Sequence, residues 1–527
     1  MGTLRKAKTW VPQVSLLRPG LSRTLGILGF FCAVLFVSAA LAQTPATNQS
    51  APGSPAPWTS WKSVPIPPLP AFHPRQPTRI TLKNGMTVFL QEDHELPFIN
   101  GFVMIRGGSR DEPAAKTGLI DLYSEAWRTS GTAKMTGDQM DDILEAKAAK
   151  IETSGDAEST TMTWTSFQQD FDQVFGMAAD LLLHPQFRAD KLALAQQQED
   201  TGIIRRNDDP DQIAMREAAR LAYGKDNPYA RVPEFATVHA VTLADLTAWH
   251  DRTVTPNNII VGISGDFHTA GMEAKIRAAF DSLPRGPQFV PAPVAFPGPV
   301  PGVYLAQKSD VNQSNVWIVG LGTEKNNPDY YALSVMNTIF SGGFGSRLFQ
   351  SVRTRLGLAY SVFGAYGANY DHPGVFYVAA GTKSDSTVAA TNAMMEQIRD
   401  LKTDPPTATE LKNAKDQLLN SWIFHFDSPE KILRQQATLA FYGYPSDYIE
   451  KYRAGVEKVT AADVSRVANQ YVHPSKLAIL VVGNSSQFGT PLSTLGPVKN
   501  LDITIPMPPG MEPPIPMPPG MEPPPSQ

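Results

Sequence analysis

The chain has 527 residues, 42% of them hydrophobic, which is enough for roughly two to four globular domains with buried cores. Acidic residues outnumber basic ones by 50 to 46, and the sequence has no basic stripe, so nucleic acid is excluded as a partner. The 46 prolines are clustered rather than scattered, which argues against disorder along the whole chain.

Residues 1–42 have the pattern of a secretory signal peptide. Five basic residues and no acidic one precede or flank an apolar run from Leu25 to Ala42, which ends in small residues. We predict cleavage before Gln43 and an exported, periplasmic protein. The alternative is an uncleaved anchor, because a run of this length is near the minimum for a spanning helix.

Cleavage of this signal changes what chemistry the mature chain can perform. It would leave 41 basic and 50 acidic residues, a net charge of −9. The single cysteine, Cys32, lies inside the signal, so disulfides and cysteine catalysis are excluded. No later segment is apolar enough to span a membrane.

Clusters of proline divide the rest of the chain into domains and linkers. The decapeptide IPMPPGMEPP occurs at 505–514 and again at 515–524, and we expect the tail that contains it to be a solvated polyproline-type arm. The predicted parts are a Pro-rich linker at 43–78, an N-terminal domain at 79–283, an interdomain linker at 284–302, a C-terminal domain at 303–490 and the tail at 491–527.

The two predicted domains look like copies of each other. The segment 241–267 aligns without gaps with the segment that begins at Val459, at a constant offset of 218. Each copy reads as a helix capped by threonine, a turn marked by proline and an apolar strand that ends at glycine. The identical pairs include Thr242/Thr460, Asp245/Asp463, Pro256/Pro474 and Gly265/Gly483.

Local patterns within the first copy predict strands followed by helices. Residues 80–90 read as a hairpin with Asn84-Gly85 at its turn, and 98–106 as the next strand. Apolar residues with helical spacing then predict an amphipathic helix through Leu119, Leu122, Tyr123, Ala126 and Trp127, and further helices cover about 169–224. This order predicts an α+β fold of two homologous domains, each a mainly antiparallel sheet packed with helices.

Two stretches contain several motifs in a fixed order. The first, 82–132, combines the Asn-Gly hairpin, a G-S-R-x-E-P turn from Gly108 to Pro113, a T-G-L helix start and a later G-T. The second, SGGFGSRLFQSVRTRLGLAYSV at 341–362, joins a Gly-rich segment to an R-L-F…R…G-L-A-Y-S block. Both stretches resemble the pitrilysin/insulinase family of metallopeptidases, which includes the mitochondrial processing peptidases. The resemblance covers about 79–490 and implies that the two domains form half of a clamshell, whose other half is commonly a second subunit.

The family's zinc motif, H-x-x-E-H on the helix after T-G-L, is absent. Two histidines at i and i+4 would bind zinc and the glutamate would activate water. Asp121 and Glu125 occupy the histidine positions here, and Ser124 replaces the glutamate. A third ligand would fall near Thr201 or Gly202.

The histidines offer no substitute site by sequence spacing. None occurs between His94 and His184, so a slip in alignment restores nothing, and none pair at a spacing of three or four. Asp121 and Glu125 could suit a hard cation, but a solvated acidic helix face is the commoner meaning of such spacing. We therefore expect no metal and no cofactor in this chain, with zinc only in a partner subunit.

The resemblance implies that part of the substrate site is kept. At the family's spacing, Arg353 and Tyr360 are expected to bind peptide and the oxyanion that develops at the scissile carbonyl. Gly342, Gly343 and Phe344 are expected to border the substrate chamber. A phosphate loop is disfavoured because no Lys-Ser/Thr follows these glycines.

The leading interpretation is a non-catalytic, substrate-binding subunit of an exported heterodimeric zinc metallopeptidase. Its expected partners are a zinc-bearing peptidase subunit of the same family and unfolded peptide substrates. One alternative is a structural or assembly protein that keeps the fold without binding peptide. The other is an active metallopeptidase with an atypical metal site.

Overall fold

The computed structural model describes residues 75–421, 424 and 426–508. The predicted signal peptide, nearly all of the first linker and the repeats of the tail from residue 509 onward lie outside the described residues. None of the helices in the described part combines the length and apolar character needed to cross a bilayer.

The N-terminal half contains a six-stranded sheet with the strand order β1-β2-β6-β3-β5-β4. The predicted hairpin is present, since β1 and β2 pair with antiparallel register from Thr78↔Leu90 to Thr81↔Thr87, and Gly85 at the turn has φ +95°. The predicted strand 98–106 is β3, in the centre of the sheet. The strands are β1 Thr78–Thr81, β2 Thr87–Glu92, β3 Phe98–Arg106, β4 Lys150–Gly155, β5 Ser159–Phe167 and β6 Ile259–Gly265.

Helices of the same half cover one face of this sheet. The apolar residues of β2, β3 and β6 pack there against α1, α3, α7 and α8 in the largest core of the described chain. The helices are α1 Leu119–Ser130, α2 Gly137–Ala146, α3 Phe171–Leu183, α4 Ala189–Arg205, α5 Pro210–Tyr223, α6 Phe235–His239, α7 Leu243–Thr253 and α8 Thr269–Phe280. Strands and helices are thus segregated into layers, as the α+β prediction required.

The C-terminal half repeats this arrangement around a seven-stranded sheet, with the order β13-β7-β12-β8-β11-β10-β9. Its strands are β7 Gly302–Gln307, β8 Gln313–Leu321, β9 Thr323–Glu324, β10 Ser361–Asn369, β11 Pro373–Lys383, β12 Ala478–Gly483 and β13 Val498–Asn500. Its helices are α9 Tyr330–Ser341, α10 Thr387–Thr403, α11 Ala408–Ser421, α12 Pro429–Tyr442, α13 Tyr448–Lys458 and α14 Ala461–Tyr471.

The predicted duplication is visible in both the elements and their connections. Helices α7 and α14 have the same length and begin 218 residues apart. Each starts with a capping box, in which Thr242 pairs with Asp245 and Thr460 with Asp463. The strand after each helix runs parallel to the first long strand of its half, β6 to β2 and β12 to β7. The two domains are therefore homologous.

Two helices are exchanged between the halves. Helix α5 of the N-terminal half packs on β8 and β12, where Ile213, Ala214 and Ala218 join the core of the second sheet. Helix α12 of the C-terminal half packs on β2 and β6, where Leu433, Ala437 and Phe441 contact Phe89, Phe102 and Ile260. Each sheet is thus covered on one face by helices of its own half and on the opposite face by a helix from the other half of the same chain.

The segment after β12 corrects the predicted tail boundary at 491. Leu492 is buried, β13 pairs with β7, and Asn207 donates a 2.6 Å hydrogen bond to the carbonyl of Ile503. Ile505 and Met507 then pack against the N-terminal core. The first part of the tail is therefore folded, because its apolar residues between the prolines find surfaces in both halves. The segment 281–301 between α8 and β7 contains neither helix nor strand.

A buried polar cluster also joins the halves. Arg110 has a side chain that is only 9% exposed, and it donates hydrogen bonds to Tyr229 at 2.6 Å and to Asp371 at 3.0 Å. His372 stacks on Tyr229 with ring centroids 3.9 Å apart and lies near Glu158, whose pKa burial raises to about 6. Removal of any one partner would leave buried polar groups without compensation, so the cluster fixes how the halves meet.

Candidate functional site

Helix α1, on which the zinc motif would lie, begins at a buried carboxyl group. Glu112, from the G-S-R-x-E-P turn, accepts hydrogen bonds from the backbone N–H of Gly118 at 3.0 Å and of Ile120 at 3.2 Å. These groups would otherwise be unpaired at the start of the helix. Burial raises the pKa of Glu112 to about 7. The turn therefore positions α1 through one side chain.

The apolar face of α1 fixes the direction of its polar face. Tyr123 and Trp127 are fully buried; Tyr123 hydrogen-bonds His250 at 2.9 Å, and Trp127 donates to the carbonyl of Leu181 at 2.9 Å. Asp121 is consequently exposed and Glu125 half-buried. Although its side chain is exposed, partial desolvation by the surrounding protein raises the pKa of Asp121.

The residues at the motif positions do not fit zinc. Ser124 is buried, its hydroxyl has no hydrogen-bond partner among the described residues, and it faces Gly155 of β4 rather than open space. Where the described residues bring three possible metal ligands together, neither Asp121 nor Glu125 is among them. A hydroxyl group also cannot replace the glutamate as a base for zinc-bound water.

Helix α4, where the third ligand would be found, offers no replacement either. The hydroxyl of Thr201 donates to the carbonyl of Gln197 at 2.9 Å, and Gly202 has no side chain. Asp200 is engaged by His239 at 2.9 Å. The helix that packs against α1 therefore places no carboxylate or imidazole at either of the two expected positions, Thr201 and Gly202.

In the C-terminal half, the structure brings Arg353 and Tyr360 together. The guanidinium carbon of Arg353 lies 5.5 Å from the centroid of the Tyr360 ring and 4.9 Å from that of Phe349. Phe344 meets Phe349 edge to face, with centroids 4.9 Å apart. We call these four residues the Arg353 surface. Tyr360 is 82% exposed and Phe344 is 76% exposed, so the surface is open to a ligand.

A π-helical segment, Phe349–Arg355, creates this arrangement. Within this segment Arg353 is exposed and Phe349 is half-buried against the core, while Ser351 and Val352 are buried. The backbone N–H of Tyr360 then donates to Gly381 of β11 at 3.0 Å, which fixes the tyrosine at the start of β10. The sequence contained the Arg–Tyr spacing, but the contribution of Phe349 depends on π-helical geometry and was missed.

Gly342 and Gly343 shape the turn that carries Phe344. A Cβ atom on Gly342 would lie 2.5 Å from the carbonyl oxygen of Thr338, and Gly343 has φ +97°. Gln417 donates to the carbonyl of Gly342 at 2.8 Å, and Gln350 donates to the carbonyl of Phe344 at 2.6 Å. These bonds hold the Gly-rich segment against α11 and the π-helical segment.

A cleft of about 760 Å³ opens beside Tyr360. The loop between β7 and β8, the start of β10 and the start of α5 line it, so both halves contribute. Desolvation and the neighbouring Asp209 raise the pKa of Asp211 at its wall. The cleft is open and polar, which distinguishes it from the enclosed, mainly apolar pockets that typically bind small-molecule cofactors.

Comparison with known proteins decides the family. Residues 87–225 match the family model described as "Insulinase (Peptidase family M16)", and residues 240–418 match "Peptidase M16 inactive domain". The chain belongs to the pitrilysin/insulinase family. Within it, this is a peptidase-like member without the H-x-x-E-H motif.

Relatives of this family member match over most of its length. An uncharacterized zinc protease of Mycobacterium leprae is 27% identical over 75% of this chain and 89% of its own. An uncharacterized zinc protease of Bacillus subtilis is 23% identical over 66% of this chain and 84% of its own. A peptidase M16 inactive domain from Pseudomonas fluorescens superimposes with a TM-score of 0.71 at 24% identity, covering 79% of this chain and all of its own. A protease from Helicobacter pylori superimposes with a TM-score of 0.69 at 19% sequence identity, covering 78% of this chain and all of its own. These two structural similarities show that the fold is shared.

Proposed function

We propose that this chain is the non-catalytic, substrate-binding subunit of an exported heterodimeric zinc metallopeptidase of the pitrilysin/insulinase family. The observation that carries the proposal is the Arg353 surface. It combines an exposed arginine with three aromatic rings beside a polar cleft, in a chain whose zinc positions hold Asp121, Ser124 and Glu125.

The composition of this surface suits peptide. Exposed aromatic rings and arginine are the side chains that contribute most at binding surfaces, because rigid rings bury large areas with little loss of conformational entropy. Arg353 can donate several hydrogen bonds to a peptide carbonyl or carboxylate, and Tyr360 can donate one from its phenol. Neither side chain can activate water, so this surface binds and positions substrate.

A zinc-bearing subunit of the same family is the proposed partner. Placed opposite its zinc, Arg353 and Tyr360 would stabilise the negative charge that develops on the scissile carbonyl oxygen. The proposal assigns zinc and the general base to that subunit and none of the chemical steps to Asp121 or Glu125. Export rests on the N-terminal sequence, whose basic start, apolar run and small-residue end fit a cleaved signal.

The test uses the purified chain mixed with a zinc-bearing member of the same family from the same organism. The chain alone is expected to cleave no unfolded peptide, and the mixture is expected to be more active than the partner alone. Arg353→Ala and Tyr360→Phe should each lower kcat of the mixture on the order of 100-fold. Assembly, measured by analytical ultracentrifugation, should be unchanged.

The matched control is Arg355→Ala. Arg355 is exposed on the same π-helical segment, but its guanidinium donates to Ser351 at 2.8 Å and has no place in the Arg353 surface. Its loss should leave kcat unchanged. If the Arg353 and Tyr360 variants also retain full turnover, the chain is a structural subunit. If the isolated chain cleaves peptide and Asp121→Ala abolishes this activity, it is a peptidase in its own right.

A further inference from the structure

Two histidines that are 174 positions apart in the sequence lie side by side at one end of the first sheet. His94 follows β2, and His268 immediately precedes α8. Their ring centroids are 5.6 Å apart. Glu92, the last residue of β2, completes the group, in which one possible ligand atom from each residue lies within 4.8 Å of the other two.

The hydrogen bonds around His94 direct one ring nitrogen toward this group. Nδ1 of His94 lies 2.6 Å from Oδ1 of Asp266, so Asp266 accepts its proton and leaves Nε2 free. Nε2 lies 3.8 Å from Oε2 of Glu92, too far for a hydrogen bond. Metal-binding histidines characteristically donate their other ring N–H to a carboxylate, which orients the ring and makes it a better ligand.

Glu92 and His268 also have side-chain atoms in position to bind a cation. Oε1 of Glu92 accepts from the backbone N–H of Thr269 at the start of α8, which leaves Oε2 facing His94. The His268 side chain makes no capping hydrogen bond to α8, although it occupies the capping position. Its ring is therefore available without loss of a helix cap.

We propose that Glu92, His94 and His268 form a surface site for a divalent transition-metal ion, with zinc as the best fit. Two imidazoles and one carboxylate suit zinc, copper or nickel better than magnesium or calcium, which prefer oxygen ligands. This site is separate from the altered motif on α1.

The distances are compatible with a site that tightens on binding. Zinc bonds of roughly 2.0–2.1 Å in a tetrahedral arrangement place neighbouring ligand atoms about 3.4 Å apart. The Glu92–His94 separation of 3.8 Å is close to this value. The side chains of His94 and Glu92 are 48% and 21% exposed, so small rotations suffice. Arg75 lies 3.8 Å from Glu92, is 69% exposed and can move away when a cation arrives.

The test is a titration of the full chain, stripped of metal, with zinc chloride by calorimetry and with cobalt(II) by absorption spectroscopy. One ion is expected to bind per chain. His94→Ala and His268→Ala should each weaken binding by at least about 10-fold, and Asp266→Asn should weaken it about 10- to 100-fold, the usual effect of removing a carboxylate that orients a metal-binding histidine.

His239→Ala is the matched control. His239 is exposed to a similar degree and lies 2.9 Å from Asp200, but it has no second histidine beside it among the described residues. This variant and the double variant Asp121→Ala/Glu125→Ala should bind zinc like the unaltered chain. Circular dichroism of each variant checks folding. The proposal is overturned if the unaltered chain binds no zinc, or if the His94 and His268 variants bind it unchanged.

Discussion

Among single residues, Glu112 shows how a buried charge can serve the structure at an energetic cost. Its carboxylate oxygens pair the first free N–H groups of α1, which stabilises its ionised form near the positive end of the helix dipole. Removal from water acts in the opposite direction and is the larger effect, so the pKa rises from 4.5 to about 7. Near neutral pH the group is therefore divided between its two forms.

Substitution of Glu112 by glutamine tests whether desolvation outweighs the hydrogen bonds, because it removes the contribution of this carboxyl group to the pH dependence of stability. Because the folded-state pKa lies above the unfolded one, the folded chain binds the proton more tightly. The Glu112 contribution to stability is therefore fully present below about pH 4.5 and is lost as the pH rises through about 7. Glutamine does not titrate, so this loss is absent from Glu112→Gln. The free energy of unfolding of the variant, taken relative to that of the unaltered chain, should therefore rise by up to about 3 kcal/mol as the pH increases from about 5 to about 8.

Urea unfolding of both proteins at these two pH values measures that gain. Glu152→Gln, on the exposed face of β4, provides the control and should differ from the unaltered chain equally at both. A difference for Glu112→Gln that does not change with pH would show that the charge of this carboxyl group is not a cost in the folded state.

At the scale of elements, the Gly-rich turn has a defined conformation that packing and hydrogen bonds hold in place. Its constraints of φ and packing fall on Gly342 and Gly343, whereas Gly345 has no positive φ and a Cβ atom added to it would meet nothing within 4 Å. Arg347 then anchors the next turn to Glu410 of α11, and this contact lowers the pKa of Glu410 to about 2. Phe344 is thus held by bonds on both sides.

Alanine substitutions within this turn should separate its constrained glycine from its unconstrained one. Gly342→Ala forces a Cβ against the Thr338 carbonyl and should cost about 1–3 kcal/mol in free energy of unfolding. Gly345→Ala should change it by less than about 0.5 kcal/mol. Urea denaturation compares the two variants; equal stability would mean that the turn relaxes freely around the new methyl group.

For the whole molecule, sequence reasoning recovered what is local or repeated and missed what depends on tertiary contact. The hairpin, β3, α1 and the duplicated helix–strand unit follow from short patterns such as Asn84-Gly85 and the Thr242–Asp245 box. The exchange of α5 and α12 could not be predicted, because an apolar stripe shows that a helix packs but not on which sheet. The approach of His94 to His268 was missed for the same reason, since only the folded sheet places them together.

The exchange makes a prediction about cooperativity. Ile213 of α5 is fully buried in the core of the second sheet, so Ile213→Ala should cost about 2–5 kcal/mol in free energy of unfolding. Met215 is on the same helix but 53% exposed, and Met215→Ala should change the free energy of unfolding by less than about 0.5 kcal/mol.

Since α12 covers the first sheet in return, loss of either contact should destabilise both halves together. Scanning calorimetry of Ile213→Ala should therefore show one transition at a lower temperature; a second transition at the original temperature would mean that the N-terminal half folds independently of the half that covers it.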